Sequence, residues 1–470
     1  VGVCLGAAIV SWAVLPSVVS YDPWSWLVWG REVSDPALPF VISGGPSWKP
    51  LPFLFTTLWG LAGGGAPTLW LITARTGGLL GIVAGGRLAQ RLAGGGRTGA
   101  VAAGLGAFGV VLTEQWMYYF LRATSEPLVV GATLWAIDRL LAGRRTQALW
   151  LGIALALMRP ESWPLLALYA LWLGVRDPGY RRGTMRLMLL AGLALVPVLW
   201  FVPPWIGSGD ALLAAQHAAA YDGQLGRDPA RALLTRGAND QVAPLLIAGI
   251  LFVALAWRRD RDRTVLALGV GVIAWWAIVV AMTAIGYPGL ERFYLPAAAV
   301  ISVLGAAGIA SLAALAGRAA GRQGDAVFAG SLAVLVAISV WGSSQRISDA
   351  WSNVGLASQA SRMITRMEHV VAAAGGQRVL YRCGARSFVA VNHSLATALA
   401  WYLHVPLERV SGVMSAPGAD VVGPSNPADG VPAAIDPRLT RARVLARADG
   451  WRVVARSDPH NPSADTCVPR

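Results

Sequence analysis

The chain has 470 residues, of which 55% are hydrophobic and only 14% charged, with a mean hydropathy of +0.53. A soluble domain carries about a quarter charged residues, so this composition excludes a disordered chain and argues against a wholly soluble enzyme. The formal charge of +14 points to basic loops along a membrane and not to nucleic acid, because the arginines sit in short turns between apolar runs.

The chain opens at Val1 rather than Met, which reads as the loss of a short N-terminal piece. Residues 1–20 lack the basic leader of a signal peptide, and the apolar pattern continues far beyond them, so they read as a transmembrane helix. A spanning helix takes roughly 20 mostly apolar residues. Spans are expected near 1–19, 67–90, 98–113, 126–142, 146–159, 161–176, 184–205, 243–257, 264–286, 293–316 and 326–342. Arg87, Arg91 and Arg97 follow the second of these; Arg139, Arg144 and Arg145 the fourth. Arg176, Arg181, Arg182 and Arg186 follow the sixth, Arg258, Arg259, Arg261 and Arg263 the eighth, and Arg318 and Arg322 the tenth. Every second loop is therefore basic and is placed in the cytoplasm. That alternation requires the run 50–63 to be an interfacial helix on the outer face. The expected fold is mostly α, a polytopic membrane protein of eleven spans over 1–342, with the N-terminus inside.

Residues 343–470 are less apolar and read as a small extracytoplasmic α/β domain. A helix is expected near 345–374 and another over 395–405, with strands at 378–383, 387–391 and 451–457. Cys383 and Cys467 both fall in this domain, on the oxidising side of the membrane, and are expected to pair. That bond would tie the C-terminal tail to the first strand.

Ionisable residues at or inside a membrane are functional candidates, and here those not explained by basic loops gather on the outer face. The first outer loop (20–53) carries Asp22, Glu32 and Lys49 among Trp24, Trp26, Trp29 and Trp48. Lys49 is the one lysine beside 38 arginines, and a compact ammonium is suited to a phosphate oxygen. Arg75 lies in the outer half of the second span and needs an anion or a watery cavity. The second outer loop brings Glu114, Arg122 and Glu126; the third, Arg159 and Glu161 at a helix break. The fourth (206–242) is amphipathic, with His217 and Tyr221, and suits a substrate-covering segment. The fifth carries Glu291 and Arg292. Arginines and a lysine can hold a phosphate and its leaving charge, and a carboxylate can deprotonate an attacking hydroxyl. Transfer of a sugar from a polyprenyl phosphate needs both.

The order of these elements resembles the GT-C superfamily of integral-membrane glycosyltransferases, in the branch of aminoarabinose transferases, protein O-mannosyltransferases and actinobacterial arabinofuranosyltransferases. Tyr21-Asp22-Pro23 stands where that branch has an acidic residue after the first span. Lys49-Pro50-Leu51 stands at its Lys-Pro-Pro-Leu-like motif, with leucine in place of the second proline. Arg122 to Leu128, including Glu126-Pro127, resembles its second acidic position. Arg159-Pro160-Glu161 and Glu291 to Pro296 resemble its Arg-Pro-Glu and Arg-Tyr-Leu-x-Pro elements. The resemblance covers about residues 1–316 and leaves the C-terminal domain unmatched.

The resemblance implies an inverting transfer with a lipid-linked sugar donor and no catalytic metal or other cofactor. Asp22 would be the base. Glu126 would orient the acceptor or sugar, and is next in line as base. Lys49, Arg75, Arg159 and Arg292 would hold the donor phosphate. Glu32, Glu114, Arg122, Glu161, His217 and Tyr221 are expected to line the substrate site. An arginine-rich composition fits an actinobacterium, where decaprenyl-phosphate sugars carry arabinofuranose or mannose, and a plasma-membrane enzyme acting on a cell-envelope glycan, lipid or protein. Two other readings stay open. A transporter or lipid-linked-sugar flippase predicts ionisable residues at mid-membrane and on both faces. A scaffold predicts that Asp22 and Lys49 are dispensable.

Overall fold

The computed structural model describes residues 1–46, 48–219, 235–239, 241–424, 433–460 and 467–469. Helices α1 (Gly2–Val14), α2 (Tyr21–Ser34), α3 (Pro50–Gly60), α4 (Ala66–Ala93), α5 (Gly96–Val111) and α6 (Trp116–Leu121) come first. They are followed by α7 (Glu126–Leu141), α8 (Arg145–Ala156), α9 (Trp163–Arg176), α10 (Gly183–Ser208) and α11 (Leu213–Ala219). The apolar part closes with α12 (Ala243–Leu255), α13 (Arg263–Ala284), α14 (Leu295–Ala319) and α15 (Gly324–Trp341). A helix stands in each of the eleven expected spans, and α3 stands where the interfacial helix was expected.

Among the described residues, five stretches are long and apolar enough to cross a membrane. They are Gly63–Ala93, Gly183–Ser208, Arg263–Ala284, Leu295–Ala319 and Gly321–Trp341. The other six expected spans hold helices of 12 to 16 residues. Helix length therefore supports a multi-pass membrane protein without fixing the count at eleven. Several of the short helices stop where a polar turn begins: α7 starts at Glu126, α8 ends three residues before Arg159, and α9 starts just after Glu161.

The centre of the bundle is α14, whose residues from Leu295 to Ala310 are buried on every side. It lies against α12 so closely that a Cβ at Gly305 would sit 2.2 Å from the Leu245 carbonyl oxygen. Gly131 of α7 likewise sits against the Gly77 carbonyl of α4, where a Cβ would approach to 2.4 Å. Small residues at crossings are how helices approach without a hydrophobic drive between them.

Beyond α15, helix α16 (Ser344–Ala373) leads into the C-terminal domain, with α17 (Gly376–Leu380) and α18 (Ala396–Tyr402). Its strands are β1 (Val389–Val391), β2 (Val410–Ser411), β3 (Val413–Met414), β4 (Gly418–Val422), β5 (Ala434–Ile435), β6 (Arg441–Ala448) and β7 (Trp451–Ser457). The main sheet runs β2-β1-β4-β7-β6, parallel through its first three strands and antiparallel beyond. The helices expected at 345–374 and 395–405 and the strands at 387–391 and 451–457 are present. The strand expected at 378–383 is not. Gly375 and Gly376, both at positive φ (93° and 57°), turn the chain into the short helix α17 instead. Glycine takes that backbone without a Cβ clash. Cys383 and Cys467 are disulfide-bonded with Cα atoms 5.5 Å apart, so the tail is tied to the turn after α17 rather than to a strand.

This domain is seated on α2. Arg31 donates to the carbonyl oxygens of Trp401 (2.8 Å), Val405 (3.1 Å) and Ala400 (3.4 Å), which close the C-terminal end of α18. Its guanidinium also lies over the Trp401 ring. One continuous apolar core runs from Trp24, Leu27 and Val28 of α2 to Leu399 and Leu403.

A candidate active site where helix N-termini meet

Four polar residues directly precede a proline that begins or nearly begins a helical turn: Asp22-Pro23, Lys49-Pro50, Glu126-Pro127 and Arg159-Pro160. Proline suits the first turn because it has no N–H to satisfy and its φ is already helical. It also disfavours the helical conformation one residue earlier, and Lys49 and Arg159 are indeed extended. Main-chain bonds then draw these starts together. Val18 and Ser20 donate to the carbonyls of Leu121 and Arg122, which sets the start of α2 beside that of α7. The Leu51 N–H donates to the Leu157 carbonyl, which brings Lys49 beside Arg159. Arg292 arrives in a 3-10 turn, Glu291–Phe293, that leads into α14.

The five side chains form one network. Glu126 is buried and its Oε1 lies 2.6 Å from Arg159 Nη2, 3.7 Å from Lys49 Nζ and 3.9 Å from Arg292 Nη1. The other oxygen, Oε2, is buried without a hydrogen-bond partner. Arg292 Nη1 also bonds Asp22 Oδ2 at 3.1 Å, so it bridges the two carboxylates. Lys49 donates to Ser125 Oγ at 2.9 Å and lies over the Trp26 ring. Arg159 lies over Phe293. Asp22 and Arg292 keep 21% and 30% of their side chains exposed, whereas Lys49, Glu126 and Arg159 keep 8%, 1% and 2%. The network thus has a sealed floor and an open edge at Asp22 and Arg292.

Burial pushes the Lys49 ammonium down to about 8, against the attraction of Glu126. Glu161 is fully buried, with neither carboxyl oxygen hydrogen-bonded and its Oε1 3.9 Å from Arg159 Nη1. Burial raises it, favouring the protonated acid. Next to it, Ser162 lines an apolar cavity of about 300 Å³, which Leu155, Trp275, Pro296 and Val300 also line.

The remaining expected residues lie elsewhere. Arg75 is buried, but its guanidinium donates to the Pro16 carbonyl (2.9 Å), Ser11 Oγ (3.3 Å) and the Phe120 carbonyl (3.4 Å). It clamps the end of α1 rather than joining the network. Glu32 accepts from the Val41 N–H at 3.0 Å, and burial raises its carboxyl to about 8. Glu114 is paired with Arg346 of α16. Arg122 stacks over Tyr118. His217 is half-buried on α11, and Tyr221 lies outside the described residues. Sequence reasoning passed over Ser125, Trp26 as a ring under the lysine, and Phe293. Trp26 sits one helical turn after Asp22, and Ser125 directly precedes Glu126, which were the available signals. Among the described residues, no group of three or more His, Cys, Asp or Glu side chains is gathered for a metal.

No family model matches this sequence, and no curated protein does. Solved structures do resemble it. ArnT from Cupriavidus metallidurans bound to undecaprenyl phosphate aligns over 96% of this chain and 97% of its own, at 15% identity and a TM-score of 0.55. Its apo structure aligns over the same shares at 17% identity and a TM-score of 0.52. The chain has the fold of ArnT, and the GT-C resemblance read from the sequence holds at the level of the fold.

Proposed function

We propose that the chain is an inverting glycosyltransferase that takes a pentose or hexose from a polyprenyl phosphate and moves it to a cell-envelope acceptor on the outer face of the plasma membrane. The observation that carries this reading is the network itself. Three cations and two carboxylates from five separate segments meet at helix N-termini beside an apolar cavity. Helix N-termini and buried cations favour a phosphate, and the cavity suits a prenyl chain. The co-structure of ArnT with undecaprenyl phosphate adds a lipid of that class on the same fold.

The exposure pattern divides the two carboxylates. Glu126 is walled in by three cations and serves as their counter-charge. Asp22 stands at the open edge, paired with Arg292, and is the base. It takes the proton of the acceptor hydroxyl as that oxygen forms a bond to the anomeric carbon. The bond from that carbon to the phosphate oxygen breaks, and its electron pair leaves on the polyprenyl phosphate. Lys49, Arg159 and Arg292 hold the growing negative charge, which is strongest where water is excluded. Arg292 exchanges its contact with Asp22 for the phosphate, freeing the base. Side chains neutralise the phosphate in place of a divalent ion, so chelation is expected to leave the rate unchanged.

The test is a transfer assay with purified protein, radiolabelled decaprenyl-phosphate arabinose or mannose, and a cell-envelope extract. Label moved by the wild type and not by Asp22→Asn supports enzyme and base together. Equal transfer by both moves the base to Glu126. No transfer from folded protein with either donor overturns the reading for these sugars and favours a flippase.

A further inference from the structure

A second cavity lies on the other side of α2. Asp22 and Trp24 are two positions apart on this helix, so they point roughly 200° apart around its axis. Trp24 lines a cavity of about 170 Å³ between the transmembrane helices and the C-terminal domain. Ser17 and Thr68 line it from the membrane side, Ser361 and Thr365 from α16, and Tyr402 from the end of α18. No charged side chain lines it; five of its twelve lining residues carry hydroxyls and the other seven are apolar.

The chemistry of that lining is selective. An anion finds no cation there, and an apolar chain finds hydroxyls. Each hydroxyl can donate and accept. The Ser17 hydroxyl donates to the Leu15 carbonyl and that of Thr365 to the Ser361 carbonyl, which leaves their oxygens as acceptors. Trp24 is 5% exposed and its indole N–H is buried, so it offers the cavity an apolar ring, held at 5.8 and 5.6 Å from the rings of Trp401 and Tyr402. A ligand with hydroxyls on its rim and C–H groups on its faces fits all of these at once. The volume matches about six waters at ~30 Å³ each, the scale of one sugar ring.

We infer that this cavity binds an uncharged sugar ring. On the glycosyltransferase reading above, from which this identity follows, the ring is an inner unit of the acceptor glycan. The site then anchors the acceptor against α2 while its terminal hydroxyl reaches Asp22 on the other side. It also gives the C-terminal domain a role, because α16 and α18 supply a third of the lining residues.

Saturation-transfer NMR on the full chain in phosphatidylglycerol nanodiscs, free of sugar detergents, tests this with methyl α-arabinofuranoside and methyl α-mannopyranoside. Ring-proton signals are expected with the wild type and equally with Asp22→Asn. Thr365→Trp, which fills the cavity, is expected to abolish them. Thr68→Val, which removes one hydroxyl, is expected to weaken binding about tenfold. Should Thr365→Trp lower the unfolding temperature, Ser361→Val takes its place with an expected loss of similar size to Thr68→Val. No signal with the wild type, a signal that survives both cavity variants, or a signal lost in Asp22→Asn overturns the inference. The last result would put the sugar in the catalytic network. Nanodiscs doped with a glycosyl diacylglycerol separate the two sources of such a ring: competition with the methyl glycosides indicates a lipid headgroup, and its absence a soluble glycan. Binding is read without transfer, so failure here and failure of the transfer assay are distinct results.

Discussion

Helix α7 carries a carboxylate cluster at each end, and the two clusters are built on opposite terms. At its start, Glu126 gathers Lys49, Arg159 and Arg292 from three distant segments. Near its end, Asp138 is equally buried and gathers Arg87, Arg91 and its neighbour Arg139. The helix dipole favours a carboxylate at the first position and disfavours one at the last, so the arginines around Asp138 offset an unfavourable placement. Those arginines keep 47%, 36% and 18% of their side chains in contact with solvent and come from α4 and α7, which already pack together. The cluster at Glu126 instead buries two of its cations almost completely, adds a second carboxylate, and opens on one side only. Charge count alone does not separate a site from a brace; desolvation of the cations and the open edge do.

The sharpest way to break this contrast is to neutralise one carboxylate in each cluster. Asp22→Asn is expected to lower transfer by about 10²–10⁴-fold, the usual contribution of a general base. Asp138→Asn is expected to leave transfer unchanged. A comparable loss in Asp138→Asn would show that the distinction by burial is wrong. Stability should divide along the same line. Glu126→Gln leaves buried cations without their counter-charge and is expected to cost about 3–5 kcal/mol. Asp138→Asn leaves arginines that can turn to water, so its cost is about 1 kcal/mol or less. Thermal unfolding in one detergent compares the two directly.

Much of the cluster was legible because four of its five residues announce themselves by a proline. Asp22-Pro23, Lys49-Pro50, Glu126-Pro127 and Arg159-Pro160 mark helix starts, and alternate basic loops place those starts on one face. Hydropathy gives depth but not direction, which is why Arg75 looked like a phosphate ligand although it clamps α1. Glu114 looked like a substrate contact because its partner, Arg346, lies far along the chain on a helix whose docking no local pattern reports. Residues 378–383 read as a strand, and only the two glycines ahead of them hint at the helical turn. The Arg31 bonds that seat the C-terminal domain on α2 rest on main-chain carbonyls, which every residue has, and so leave no mark in the sequence.

A pH profile sharpens the contrast further, because the cation that sets the outer cluster apart from the all-arginine one is Lys49. Burial lowers Lys49 to about 8, so the free protein carries a neutral amine there above that pH. The donor phosphate then loses one of its three cations. The expected profile of kcat/KM falls as pH rises through about 8, approaching tenfold per unit. Lys49→Arg is expected to remove that limb while lowering the plateau, since a planar guanidinium does not replace a compact ammonium. A limb that persists in Lys49→Arg would assign it to another group.

The smallest expected difference is the response to salt. Raising ionic strength from about 0.1 M to about 1 M shortens the screening length from about 10 Å to about 3 Å. Solvent reaches the arginines around Asp138, so their pairing should weaken, and the gap in unfolding temperature between wild type and Asp138→Asn should shrink. Solvent hardly reaches Lys49, Arg159 or Glu126, so the gap between wild type and Glu126→Gln should hold. If both gaps shrank alike, ions would have reached the floor of the outer network. The sealed floor would then be gone, and with it the argument that water is kept from the phosphate.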